Sequence, residues 1–140
     1  MQRVLPSLSA YPKIETSFEA AGSLLGTNVN DTGTYWTVIR SDGTHYGEGQ
    51  GVMVTRAGKV ATWTCHGVSV RNKDGTASYR GALYFHSIPP RWSRLNKVTV
   101  LFEYAIDAAG THTPNIGNGS SVRRPAQKLG RGSSYAAALN

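Results

Sequence analysis

The sequence predicts an all-β protein: a single antiparallel up-and-down barrel of about seven or eight strands, followed by an irregular C-terminal tail. Three observations carry this expectation. Between residues 13 and 107, segments rich in β-branched and aromatic residues alternate with punctuation made of Gly, Asp and Asn. Several segments reach ten or more residues, long for a sandwich but natural for a coiled meander that closes on itself and removes its edges. With 140 residues, the chain is long enough to bury one core without disulfides or metal.

Residues 1–12 read as an N-terminal arm and 13–110 as the barrel domain. Candidate strands are 13–21, 33–40, 44–55, 60–71, 76–87 and 97–107, with 23–29 as a further one. Between them, Ser41-Asp42-Gly43, Arg56-Ala57-Gly58, Asn72-Lys73-Asp74-Gly75 and Ala108-Ala109-Gly110 read as hairpin turns. Gly supplies the positive φ such turns require, and Asp and Asn tolerate it. In residues 89–96 two prolines open a single helical turn, too short to bear on the fold class. Residues 111–140 change character to Gly, Ser, Asn and Arg with scattered Val122, Leu129 and Leu139. They read as a basic tail, either disordered or non-native, like the translated filler of a frameshift or vector fusion.

Composition narrows the function classes. No apolar run approaches the roughly 20 residues of a membrane-spanning helix, and Pro6 with Ser7 and Ser9 interrupts any secretory apolar segment; a cytoplasmic protein with no membrane partner is expected. Cys65 is the sole cysteine, so no intrachain disulfide can form and a cysteine-based zinc site is excluded. The net charge of +7 would suggest nucleic acid, but Arg123, Arg124, Lys128 and Arg131 carry four positive charges in a tail with no acidic residue after Asp107. The barrel itself is only mildly basic, and nucleic acid is not the expected partner.

Strand alternation sorts side chains into faces, although parity alone does not say which face points inward. Val98, Val100, Phe102, Tyr104 and Ile106 share one face; Tyr79, Gly81, Leu83 and Phe85 form a second apolar one. Ala61, Trp63, Cys65 and Gly67 oppose Val60, Thr62, Thr64, His66 and Val68 with neither side clearly dry. Along residues 46–52, Gly47, Gly49 and Gly51 share one face, which weakens a strand unless a bend or close approach needs them. Glu48 then shares the other face with Tyr46, Gln50, Val52 and Val54. In the lumen it would be a candidate acid or base; outside, a solvated carboxylate.

The strings Gly47-Glu48-Gly49-Gln50-Gly51-Val52, Ala61-Thr62-Trp63-Thr64, Tyr79-Arg80-Gly81-Ala82, Arg94-Leu95-Asn96 and Phe102-Glu103-Tyr104 resemble those of a family of short, uncharacterised bacterial proteins with an allene-oxide-cyclase-like, calycin-type β-barrel. The resemblance covers about residues 14–110 and implies the barrel fold; it implies no settled activity and carries over no cyclase residue. Two departures stand out. Family members usually have Gly and Gln where this chain has Cys65-His66, and usually end in a tryptophan-rich strand that residues 111–140 replace. The barrel must then close with one strand fewer, through the tail, or across the interface of a homo-oligomer, a dimer or trimer.

Catalytic motifs are scarce. His45, His66, His86 and His112 form no short ligand pair, so a metal site would have to gather, for example, His66 and His86 with Glu48; no metal and no cofactor is expected. Cys65 and His66 point to opposite faces and cannot pair as nucleophile and base. Neither a Gly-x-Ser-x-Gly elbow nor a phosphate-binding Gly-x-x-x-x-Gly-Lys loop occurs. Arg80 reads either as the cross-strand partner of Glu103 or as a substrate clamp.

Two functions follow. One is a binding module that encloses a small hydrophobic or aromatic molecule against Trp63, Tyr79, Arg80, Phe85, Phe102 and Tyr104. The other is a small cofactor-free enzyme, an isomerase, cyclase or lactonase-type hydrolase, with Glu48 or His66 as general base in a dry site.

Overall fold

The computed structural model describes residues 1–6, 11–86, 89–109, 112–117 and 134–137. They form one nine-stranded sheet in sequence order, β1 (Gln2–Leu5), β2 (Lys13–Leu24), β3 (Thr27–Ile39), β4 (His45–Thr55), β5 (Val60–Arg71), β6 (Ala77–His86), β7 (Val100–Ile106), β8 (His112–Gly117) and β9 (Ser134–Ala137). Neighbours from β1 to β8 are antiparallel, the meander that the spaced turn residues dictate. The sheet curls as a half-barrel. Its ends meet over a short length through β9, which runs parallel to β2 at residues 21–24 and touches β8 at the pair Ile116↔Ala137. The arm thus contributes β1, and the segment after Gly110 contributes β8 and β9.

Gly43, Gly58 and Gly75 all take the positive φ their turns demand, at 81°, 72° and 86°. Residues 23–29 are not a separate strand. Leu24 pairs with Thr27, and Leu25 and Gly26 between them both have positive φ, 49° and 75°, the geometry of a two-residue type I′ hairpin turn. A leucine in that role gives no turn signal in sequence; its side chain packs against the core, offsetting a left-handed backbone that costs roughly 1–2 kcal/mol.

The curl has a local cause. Gly33 pairs with Gly51, and Gly47, Gly67 and Gly81 pair in one row across β4, β5 and β6. Aromatic rings from neighbouring strands lie over this glycine surface. A β-carbon at Gly51 would overlap the Trp63 ring, and one at Gly33 would sit 2.8 Å from Phe18. The glycine face of β4 is therefore the inner one.

One end of this interior is sealed. Pro90–Lys97 is a 3-10 helix whose Trp92 and Leu95 are 1% and 0% exposed. Although too short to alter the fold class, it packs these side chains into a core with Leu24, Val29, Met53, Ala61, Trp63, Phe85 and Val100. No helix among the described residues is long and apolar enough to cross a membrane.

Candidate functional site

Alternation and register together assign inward rows. Nearest the 3-10 helix is Ala20–Asp31–Met53–Ala61, then Phe18–Gly33–Gly51–Trp63–Phe85 and Thr16–Tyr35–Gly49–Cys65–Leu83–Val100. Beyond them lie Ile14–Thr37–Gly47–Gly67–Gly81–Phe102 and, at the far end, His45–Ser69–Tyr79 with Arg71 facing Ala77.

The two rows nearest the helix are apolar and mostly buried, with one polar exception. Asp31 is 4% exposed and accepts a hydrogen bond from the Trp63 indole Nε1 at 2.8 Å. This bond satisfies the indole donor and fixes the ring across the glycines. Phe18 stacks on the same ring with centroids 6.2 Å apart. Burial pushes the neighbouring Cys65 thiol up to about 11; a hydrogen bond with the Gly49 backbone opposes the shift and the Asp31 carboxylate reinforces it. At neutral pH the sulfur is a protonated, weakly reactive group.

The far rows differ. Thr16, Tyr35, Thr37, His45 and Tyr79 are half-buried, so the concave face there is reachable from solvent. Burial raises the Tyr35 phenol above its ordinary value, against a hydrogen bond with Thr16 and with a further push from Tyr79. Burial, and then the Arg71 guanidinium, hold the His45 imidazole below its ordinary value. We refer to this end as the mouth. Three hairpin turns rim it, and their carboxylates are held by their own loops: Asp42 accepts from Thr44, Asp74 from Thr76, and Asp107 from the Ala109 N–H.

The residues expected to form a site are divided by this geometry. Trp63 and Phe85 lie inward but belong to the sealed core, whereas Tyr79 and Phe102 line the mouth half. The Tyr104 side chain and His112 side chain lie outside what is described. Glu48, His66 and Arg80 are on the outer face. Glu48 and His66 are direct cross-strand partners, both exposed, so the expectation of a general base in a dry lumen is corrected for both. The reason is the glycines: parity gives the inward face of β4 to the residues without side chains because rings from β2 and β5 occupy that space.

On the outer face Glu48 accepts the Tyr46 hydroxyl at 2.6 Å, His66 stacks on Tyr84 at 5.8 Å, and Arg80 pairs with Glu103 at 2.7 Å, the cross-strand pair anticipated from sequence. Two open grooves of about 440 and 520 Å³ follow the glycine pairs on this face, the first bounded by His66, Val68, Arg80 and Leu101, the second by Thr34, Gln50, Thr64 and His86. Among the described residues, no three His, Cys, Asp or Glu side chains are grouped to hold a metal ion.

Sequence reasoning missed Asp31, Tyr35, His45 and Arg71. Each shares inward parity with a glycine of its own or the adjacent strand, a signal usable once those glycines are taken as the inner face. Comparison with known protein families, curated proteins and solved structures finds no match.

Proposed function

We propose that the protein binds a small aromatic or apolar molecule in the mouth of its half-barrel. The supporting observation is the contrast along one concave surface, from a sealed apolar end to a half-buried end carrying the Tyr35, Tyr79, Thr16 and Thr37 hydroxyls. Small-molecule sites combine apolar walls with a few placed polar groups, and here Ile14 and Phe102 supply the walls. Along the row Gly47–Gly67–Gly81 the Phe102 ring covers Gly67 and Gly81, whereas the nearest side-chain atom to a β-carbon at Gly47 would be Thr37 Oγ1, at 3.5 Å, which leaves the Gly47 end the less filled. The resemblance to the allene-oxide-cyclase-like family supports the barrel shape alone, and Glu48 and His66, on the outer face, have no role at the mouth.

The test is fluorescence titration of the full chain with the neutral probe N-phenyl-1-naphthylamine. Thr37→Trp should fill the mouth and abolish saturable binding while the melting transition is kept. Val68→Trp and Gln50→Trp, which block the outer grooves, should leave binding intact. Loss of binding in either outer variant with retention in Thr37→Trp overturns the proposal, as does the absence of saturable binding to the unaltered chain.

A further inference from the structure

We infer that the ligand of the mouth is an anion: an aromatic or apolar molecule with a carboxylate or comparable acidic head directed at Arg71. The inference rests on the reading of the mouth as the binding site and specifies its ligand class. Arg71 ends β5 opposite the buried Ala77, two residues from the buried Ser69, so its parity is inward. Ser69 pairs with His45, which places Arg71 diagonally across from the imidazole, where its charge adds to burial in opposing that group's protonation. Two cationic or potentially cationic groups thus meet at the rim of the mouth, beside the buried Ser69 and Ala77.

Among the described residues the ion pairs are Arg3–Glu15 and Arg80–Glu103, both on the outer face, and Arg71 takes part in neither. Asp42 and Asp74, the carboxylates of the nearest turns, direct Oδ1 at the backbone N–H and hydroxyl of Thr44 and Thr76. The other cations of this end are drawn outward: Lys13 Nζ lies 3.8 Å over the Trp36 ring and Arg40 lies 4.8 Å over Tyr46. Arg71 is left to bind an incoming acid through charge-assisted, bidentate hydrogen bonds, with the Tyr35 and Tyr79 side chains deeper along its apolar body.

The experiment compares two probes of one ring system, 8-anilinonaphthalene-1-sulfonate and N-phenyl-1-naphthylamine, on the full chain at low salt. The sulfonate should bind about tenfold more tightly, and added salt should shrink that advantage because the rim is exposed. Arg71→Gln should remove it while leaving the neutral probe unchanged, and Arg71→Lys should restore part of it. Equal affinities for the two probes, or an Arg71→Gln variant that still prefers the sulfonate, overturn the anion assignment while leaving the mouth itself in place. If Thr37→Trp retains both probes, the mouth reading fails instead.

Discussion

The two ends of the half-barrel are made by the same strands and the same alternation, yet they do different things. At the end closed by the 3-10 helix, inward side chains are mostly large and apolar, and Asp31, the one buried carboxylate among the described residues, bonds the Trp63 indole. At the mouth, the inward positions of those strands carry Tyr35, His45, Tyr79 and Arg71, half-buried or exposed. Under the proposed function, the contrast separates stability from recognition. One end holds the sheet in its curl; the other presents polar groups on a surface whose shape is already fixed.

The sharpest way to break this comparison is to empty the sealed end. Trp92→Ala should cost about 3–5 kcal/mol in denaturant unfolding, because a fully buried indole leaves a cavity the surrounding strands cannot fill. Trp92→Phe should stand far nearer the parent. It keeps most of the packing and removes an indole N–H that has no hydrogen-bond partner among the described residues. A phenylalanine variant as damaged as the alanine one would mean that filling volume is not the helix's role.

Next in size is Asp31→Ala, expected to cost about 1–3 kcal/mol by leaving the Trp63 donor unsatisfied in the core. Asp31→Asn retains an acceptor and should lose less. Near-equal losses in the two variants would show that the indole does not depend on this bond.

Cys65 sits where the two halves meet and gives a pH readout. Its thiol titrates near 9.0 when unfolded and near 11 when folded, so the unfolded chain releases the proton first as pH rises. Stability should be unaffected below pH 9.0, and fall between 9.0 and 11, by no more than about 2 kcal/mol once partial exposure is discounted. Comparing Cys65→Ala with the parent across that range isolates the effect. Fast alkylation of the native thiol at neutral pH would contradict it, since only roughly one molecule in ten thousand carries the thiolate there.

The strands and most turns of both halves were legible in the sequence, and the inward polar groups were not. Turn glycines and strand lengths gave β2–β7, because a positive φ in a tight hairpin is a requirement few residues meet. The Arg80–Glu103 pair followed from strand adjacency. The direction of the faces did not follow, because hydrophobic alternation marks an inner face by its apolar side chains, and β4 turns glycines inward. That gap left open which way Glu48 and His66 face and hid Tyr35 and His45, whose rows are identified by pairing register. Leu25 hid the β2–β3 turn for a related reason: its backbone strain is offset by packing that no local pattern reveals.

The smallest effect on stability should accompany a clear effect on binding, and Tyr35→Phe joins the two. The substitution removes the hydroxyl that bonds Thr16 but keeps the ring, whose centroid lies 6.2 Å from that of Phe18. A half-buried hydroxyl with one neutral partner contributes about 0.5–1.5 kcal/mol, so unfolding should shift by that much or less. If the hydroxyl also contacts a ligand, probe affinity should drop severalfold with the fold intact. If the mouth is merely an unfinished core, Phe should be neutral or stabilising and leave probe binding unchanged, since an apolar edge then replaces a polar one at no functional loss. Measuring both quantities on one variant tests whether the polar character of this end belongs to recognition.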